Sequence, residues 1–108
     1  MLLPILSLIF ALPALGSDWI IETVAGTGAQ GHSGDGGPAL QAQLDNPFGV
    51  VRGPDGALYF CEYTGQRIRK IDNQGVITTI AGTGETGYSG DGGPALKATF
   101  NKPHELRF

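Results

Sequence analysis

The chain repeats itself. Thr23-Val24-Ala25-Gly26-Thr27-Gly28 returns as Thr79-Ile80-Ala81-Gly82-Thr83-Gly84, an offset of 56 residues. The same offset carries Ser33-Gly34-Asp35-Gly36-Gly37-Pro38-Ala39-Leu40 onto Ser89-Gly90-Asp91-Gly92-Gly93-Pro94-Ala95-Leu96, and Pro47 onto Pro103. About 16 of the 30 positions from 23 to 52 match without a gap. A tandem repeat of this length marks a unit that buries its faces against its own neighbours, so the fold must be built by stacking like on like.

What each unit is made of follows from its punctuation. With 18 glycines and 7 prolines in 108 residues, the chain has roughly double the usual share of the two. No Gly-X-Y period runs through it, which excludes collagen. At 41% hydrophobic and 16% charged it is also unlike a disordered chain. Glycine costs about 1 kcal/mol per helix position, and no glycine-free amphipathic stretch of useful length follows residue 17, so a helical bundle is excluded. Short strands joined by tight turns remain.

Between the two copies, four strand signals alternate with turns. Phe48–Arg52 is a short apolar run, and Gly53-Pro54-Asp55-Gly56 turns the chain. Ala57–Tyr63 is rich in aromatics. Thr64-Gly65-Gln66 links it to Arg67–Asp72, and Asn73-Gln74-Gly75 leads to the β-branched Val76–Ala81. This predicts an all-β chain whose unit is a four-stranded antiparallel meander, the blade of a β-propeller. Trp19–Ala25 is then the outer strand of the blade before, and His104–Phe108 begins the inner strand of the blade after. The period of 56 exceeds the 40–50 usual for blades, and the excess lies in the long glycine loop. A ring takes roughly 4–8 blades. This chain supplies about one and a half, an incomplete ring that needs further blades or self-association, and it is expected to be a fragment of a longer repeat protein.

Met1–Leu15 is uncharged and mostly apolar. It is shorter than the roughly 20 residues of a membrane span and contains Pro4 and Pro13. Ala14-Leu15-Gly16 offers small side chains for cleavage after Gly16. Residues 1–17 are therefore expected to be a signal peptide outside the fold, and 18–108 a partial propeller with repeat copies 23–78 and 79–108. A retained N-terminal anchor is the alternative. The expected location is secreted, periplasmic or cell-surface.

Ten acidic and seven basic residues give a net charge of −3, which argues against nucleic acid as a partner. The one basic cluster, Arg67, Arg69 and Lys70, is expected to be a solvated strand face. Cys61 is the only cysteine, so no intrachain disulfide can form, and its neighbours mark it as a small buried hydrophobe.

These segments resemble the NHL-repeat β-propellers, closest to the glycine-loop type of teneurin-like NHL domains. The resemblance rests on Ala25-Gly26-Thr27-Gly28, both Ser-Gly-Asp-Gly-Gly-Pro-Ala loops and Asn46-Pro47-Phe48-Gly49-Val50. Asp55-Gly56-Ala57-Leu58-Tyr59 and Gln66–Asp72 add to it, so that it covers residues 20–108. Three positions depart from the pattern. Cys61-Glu62 stands where the family usually has Ala-Asp, an Asn common in the second interstrand loop is replaced near Gly65, and His104-Glu105 stands in the second copy for Phe48-Gly49. The resemblance implies a binding or scaffold module. It also admits a propeller enzyme, a sugar-lactone hydrolase of the gluconolactonase type or a peptidyl-hydroxyglycine lyase, with a metal in the central channel held from several blades. No complete catalytic or metal constellation is present in these residues.

Gly26-x-Gly28-x-x-Gly31 and its repeat Gly82-x-Gly84-x-x-Gly87 match a dinucleotide fingerprint, but no helix can start where the pyrophosphate would need it. Asp35 and Asp91, with Ser33 and Ser89, are expected to cap backbone N–H groups in tight glycine turns. A calcium ion held partly by carbonyls is the competing reading, and no other cofactor is expected. Pro38-Ala39-Leu40 and Pro94-Ala95-Leu96 predict short helical turns, with proline at the first helical position and the leucines plugging the gap between blades. His104 and Glu105, at the start of an inner strand, and Glu62, at the end of the second strand, are the candidate ligand-binding residues at the channel mouth, together with Phe48. The expected ligand is a protein or a carbohydrate.

Overall fold

The computed structural model describes residues 8–13 and 18–108. Six strands form two antiparallel sheets. β1 (Leu8–Pro13) pairs with β2 (Trp19–Ala25). β3 (Pro47–Arg52), β4 (Leu58–Glu62), β5 (Arg67–Ile71) and β6 (Ile77–Ala81) follow one another in a four-stranded meander. This is the predicted blade, and each strand begins and ends within a residue of its sequence signal. Residues 104–108, expected to open the next inner strand, lie against β3 without a ladder of their own among the described residues.

The turns behave as their chemistry requires. Gly56 and Gly75 take φ of 80° and 79°. In the first turn Asp55 accepts from Ala57 N–H, from the Tyr59 hydroxyl and from Lys70 Nζ, the last two at 2.7 and 2.8 Å. The hydrogen bond from Lys70, followed by that from Tyr59, holds the Asp55 carboxyl down at about 2.

Alternation gives the blade two faces. Phe60 pairs with Arg69 and Leu58 with Ile71, so these four side chains share one face, and Glu62 joins them two residues on. That face meets the long glycine loop, and the core lies between them: Leu8, Ala25, Ala39, Ala42, Leu44, Phe60, Ile71 and Ile77. The opposite face carries Tyr59 and Cys61. Tyr59 meets Phe108 edge to face at 4.8 Å, and Cys61 is fully buried, as expected for a small hydrophobe. Burial pushes the Cys61 thiol up to about 11.

The glycine loop is stitched to the start of β6. Gly36 N–H donates to Ile77 O at 2.7 Å, Ile77 N–H to Gly37 O, and Ala39 N–H to Gly75 O. Gly34 has no alternative here: its φ is +92°, and a Cβ would stand 2.7 Å from Ala42 Cα.

Two sequence expectations are corrected at the short helical turns, which are 3-10 turns at Ala39–Gln41 and Ala95–Lys97. Pro38 precedes its turn in extended geometry (φ −63°, ψ 132°) rather than opening it. The plug is Ala39, 2% exposed, while Leu40 is 55% exposed and Leu96 57%. A single turn of three residues aims only one side chain inward, and close approach of the loop to the blade leaves room for a methyl group. Leu8–Pro13 lies within the segment expected to be a signal peptide; in the uncleaved chain it forms strand β1, and Leu8 is in the core. The expected cut after Gly16 lies outside the described residues.

Candidate functional site

The four candidate binding residues divide between two places. Glu62 is fully buried beneath the glycine loop. Alternation puts it on the face of Phe60, away from Phe48 and His104, and it takes no part in the channel-mouth site to which the sequence assigned it. The residue of β4's end that does face that mouth is the next one, Tyr63.

Glu62 belongs to a buried ion cluster. The Arg69 side chain is fully buried and forks into four acceptors. Nη1 donates to Gln43 O at 2.9 Å and to Glu62 Oε2 at 3.3 Å, and Nη2 donates to Ser33 O at 3.1 Å and to Asp35 Oδ1 at 3.0 Å. Asp45 N–H also donates to Glu62 Oε2, at 2.8 Å. The expectation of a solvated basic face fails at Arg69. The planar guanidinium can satisfy two carboxylates and two carbonyls at once, and this lets a charge be buried where a lysine would be stranded.

The same contacts correct the reading of Asp35. Its carboxylate does not cap the loop's N–H groups, because the loop spends those on Ile77 O, Gly75 O and its own carbonyls. It reaches across to Arg69 instead. Ser33 acts by its carbonyl on Arg69 and by its hydroxyl, which accepts from Gln43 N–H at 3.3 Å. In the second loop Asp91 is exposed, and Ser89 bonds to Thr99 through both its N–H and its hydroxyl.

Two atoms of the cluster, Glu62 Oε1 and Arg69 Nε, have no hydrogen-bond partner among the described residues. His32 stands beside the carboxylates, its Nδ1 3.7 Å from Glu62 Oε1 and its Nε2 3.8 Å from Asp35 Oδ2. Burial, then the positive charges of Arg67 and Arg69, lower the His32 pKa. Burial raises that of Glu62, against the Asp45 N–H bond and Arg69, which pull it down. Among the described residues, no three His, Cys, Asp or Glu side chains stand where they could hold a metal ion. The cluster's chemistry is that of a clamp: it fastens loop to blade through charge-assisted bonds. The two Gly-x-Gly-x-x-Gly segments run into these loops, and the first helical residues after Gly31 are Ala39–Gln41, so no helix N-terminus faces a phosphate there.

Phe48 and His104 do come together. They line an open cleft of about 540 Å³ with Tyr63, Asn101 and Lys102. The Phe48 and Tyr63 rings are 5.1 Å apart at 48°, and the His104 ring is 6.3 Å from that of Tyr63. Lys102 Nζ lies 6.0 Å from the Tyr63 centroid. The backbone prepares this arrangement twice over. Asn46 and Lys102, equivalent in the repeat, both take φ near +60° before a proline. Asn46 O accepts from Tyr63 N–H at 2.9 Å, and Lys102 N–H donates to Gln66 Oε1 at 2.7 Å. Glu105 points elsewhere: it pairs with Arg107 and lines a second cleft of about 340 Å³ with Gly49, Val50 and Val51. Gly49 is packed there against His104 O, so closely that no side chain fits.

A meander blade, a glycine loop that occurs twice and is clamped to the blade's face in its first copy, and a following segment laid against β3 define an all-β class: β-propeller blades in an incomplete ring of about one and a half. The chain belongs to the Teneurin NHL domain family, whose model matches residues 17–89. It is 45% identical over 69 residues to Teneurin-1 of Gallus gallus and 41% identical over 70 residues to Teneurin-4 of Homo sapiens, matches that cover 58% and 59% of the chain. The chain spans about 2% of the length of these relatives. It also resembles a structural genomics protein of unknown function from Bacteroides thetaiotaomicron, with a TM-score of 0.66 and 31% identity. That match covers 79% of this chain and 21% of the other.

Proposed function

We propose that this chain is part of an exported NHL-type propeller that works as a binding and scaffold module, and that its contact site is the cleft of Phe48, Tyr63 and His104. The observation that carries the reading is an open cleft lined by three rings beside a lysine, with Phe48 and His104 exposed and Tyr63 half-buried. Phe48 is 44% exposed although it lies in a strand. Ring faces set against one cation suit a protein side chain or a sugar face, where stacking supplies the affinity and Lys102 and Asn101 the direction. The enzymatic reading has less support, because Glu62 faces away from the cleft and is engaged by Arg69.

The test is an NMR titration of the full chain with a saccharide panel and a peptide panel. Shifts that map to Phe48, Tyr63 and His104 and disappear in Tyr63→Ala support the proposal. Binding that maps elsewhere, or survives that change, overturns it. Export is tested by N-terminal sequencing of the secreted product, with Ser17 expected as the first residue.

A further inference from the structure

The pairing of β1 with β2 reproduces, residue for residue, the pairing of the third strand of the blade with the fourth. In the blade, Ile68 faces Ala81, the register then slips by one, and Arg69, Lys70 and Ile71 face Thr79, Thr78 and Ile77. At the N-terminus, Leu8 faces Ala25, the register slips at the same place, and Ile9, Phe10 and Ala11 face Thr23, Glu22 and Ile21. Ala25, Thr23, Glu22 and Ile21 are the repeat equivalents of Ala81, Thr79, Thr78 and Ile77, each at the offset of 56. A shared register including a shared bulge specifies one position in the blade, since a slip of one residue would turn every side chain to the other face.

Burial agrees with this position. Leu8 corresponds to Ile68, whose face looks toward the following blade, and Leu8 is 5% exposed in the core with Phe60, Ile71 and Ile77. Ile9 corresponds to Arg69, the residue that a glycine loop covers in the complete blade. Among the described residues no loop covers it here, and it is 39% exposed.

We propose that Leu8–Pro13 is a stand-in strand. It holds, in cis, the edge of β2 that the third strand of an NHL-type blade would otherwise occupy, and removing it, as a cut after Gly16 would, opens that edge to such a strand. The incoming strand carries an arginine where Ile9 now stands. An unpaired edge of alternating N–H and C=O groups is a template for strand addition, and the stand-in keeps it closed until a proper partner is available. The inference rests on strand register and is independent of the proposed cleft.

Amide hydrogen exchange on the full chain tests it, with the amides of β5 as an internal control for folding. Ile9→Arg, at the arginine position and on the open face, leaves β2 protection within about twofold of wild type, whereas Leu8→Arg lowers it about tenfold or more, as local opening of an edge does. Phe10→Pro removes a ladder N–H without charging the core, because Phe10 faces Glu22 as Lys70 faces Thr78, a hydrogen-bonded pair two residues from the Asp72 N–H bond to Val76 O, and it lowers β2 protection to the same extent. A synthetic peptide of residues 67–72 restores protection in Phe10→Pro and adds none to wild type. Equal effects of Ile9→Arg and Leu8→Arg, full β2 protection in Phe10→Pro, or equal peptide binding by wild type and variant would overturn the proposal.

Discussion

The two glycine loops are one structure in two situations. Each ties its first turn to its 3-10 turn in the same way: Gly26 N–H to Ala39 O and Thr27 N–H to Ala42 O in the first, Gly82 N–H to Ala95 O and Thr83 N–H to Ala98 O in the second, all between 2.9 and 3.0 Å. The first is seated on a blade, and its Ala39, Ala42 and Leu44 are buried. In the second, which has no blade beneath it among the described residues, Ala95 is exposed and Ala98 and Phe100 only half-buried. The loop's shape is therefore intrinsic, set by glycines at positive φ and by its own hydrogen bonds. Its seating is extrinsic, set by Arg69, Glu62 and the edge of β6. Intrinsic and extrinsic contributions should separate under substitution.

The largest effect is expected at Arg69. Arg69→Ala leaves Glu62 buried without its cation, a change that costs about 3–5 kcal/mol. Amide exchange should show β5 and the first loop opening together, while the bonds of Gly82 and Thr83 in the second loop keep their protection. Replacing the pair together, Arg69→Met with Glu62→Leu, should recover only part of the loss: the apolar pair carries no uncompensated charge, but Gln43 O, Ser33 O and Asp45 N–H lose their partners. If the second loop opened equally in Arg69→Ala, the two loops would not be independent.

Gly34→Ala and Gly90→Ala probe the intrinsic part. Both positions have positive φ, +92° and +112°, and at both a Cβ would stand 2.7 Å from an alanine Cα. Each change should cost its loop about 1–3 kcal/mol. In the first loop that loss also unseats Asp35 from Arg69 and appears in β5 exchange. In the second it stays local. Equal effects on β5 would contradict the distinction.

This division also explains what the sequence reveals. The blade is legible because its signals are local: strands alternate with turns whose glycines and prolines have one conformational use. The loop's shape is legible because it is written twice. The clamp is not. Arg69 lies in a run of three basic residues within four positions, and local composition describes such a run as solvated. Its burial depends on Asp35, 34 residues earlier, and on Glu62 across the sheet. Counting by two from Phe60 would place Glu62 on the covered face, and counting one more would have found Tyr63 for the cleft. The departure from the family's usual Asp at position 62 was the visible sign of a special environment there. The juxtaposition of Phe48 with His104 was readable because the two are repeat equivalents, one at the start of β3 and the other in the segment laid against it. Glu105 was lost because its neighbour Arg107 engages it.

Asp35 and Asp91 give the most direct comparison, since they are the same residue of the same motif. The Asp35 side chain is 40% exposed, so its bond to Arg69 is partly screened, and Asp35→Ala should cost about 1 kcal/mol in β5 exchange. Asp91→Ala should fall within about 0.5 kcal/mol of wild type, as surface changes away from partners do. A large penalty at Asp91 would return the loop carboxylates to the role of backbone caps.

The smallest expected effect concerns His32, whose counterpart in the second loop is Tyr88. His32 lies beside Asp35 and Glu62 and feels the charges of Asp35, Asp45, Arg67 and Arg69. Burial and the two arginines outweigh the carboxylates, and its pKa lies below the ordinary 6.5. The fold thus holds the neutral ring. As pH falls through 6.5 the unfolded chain takes up a proton before the folded chain does, so the contribution is present above that value and is lost on the way down to the lower folded pKa. Glu62 works in the opposite direction: its carboxyl is raised above 4.5, and ionising it in place costs stability as pH rises from there. The two contributions overlap in wild type, and a single pH profile cannot separate them. His32→Tyr, which copies the second loop, removes only the first. Following exchange in β5 from about pH 7.5 to 5.5, wild type should lose stability relative to His32→Tyr as pH drops. Parallel profiles would mean that the ring titrates alike in the folded and unfolded chains, and that the arginines beside it are screened by water rather than acting through the buried side of the loop.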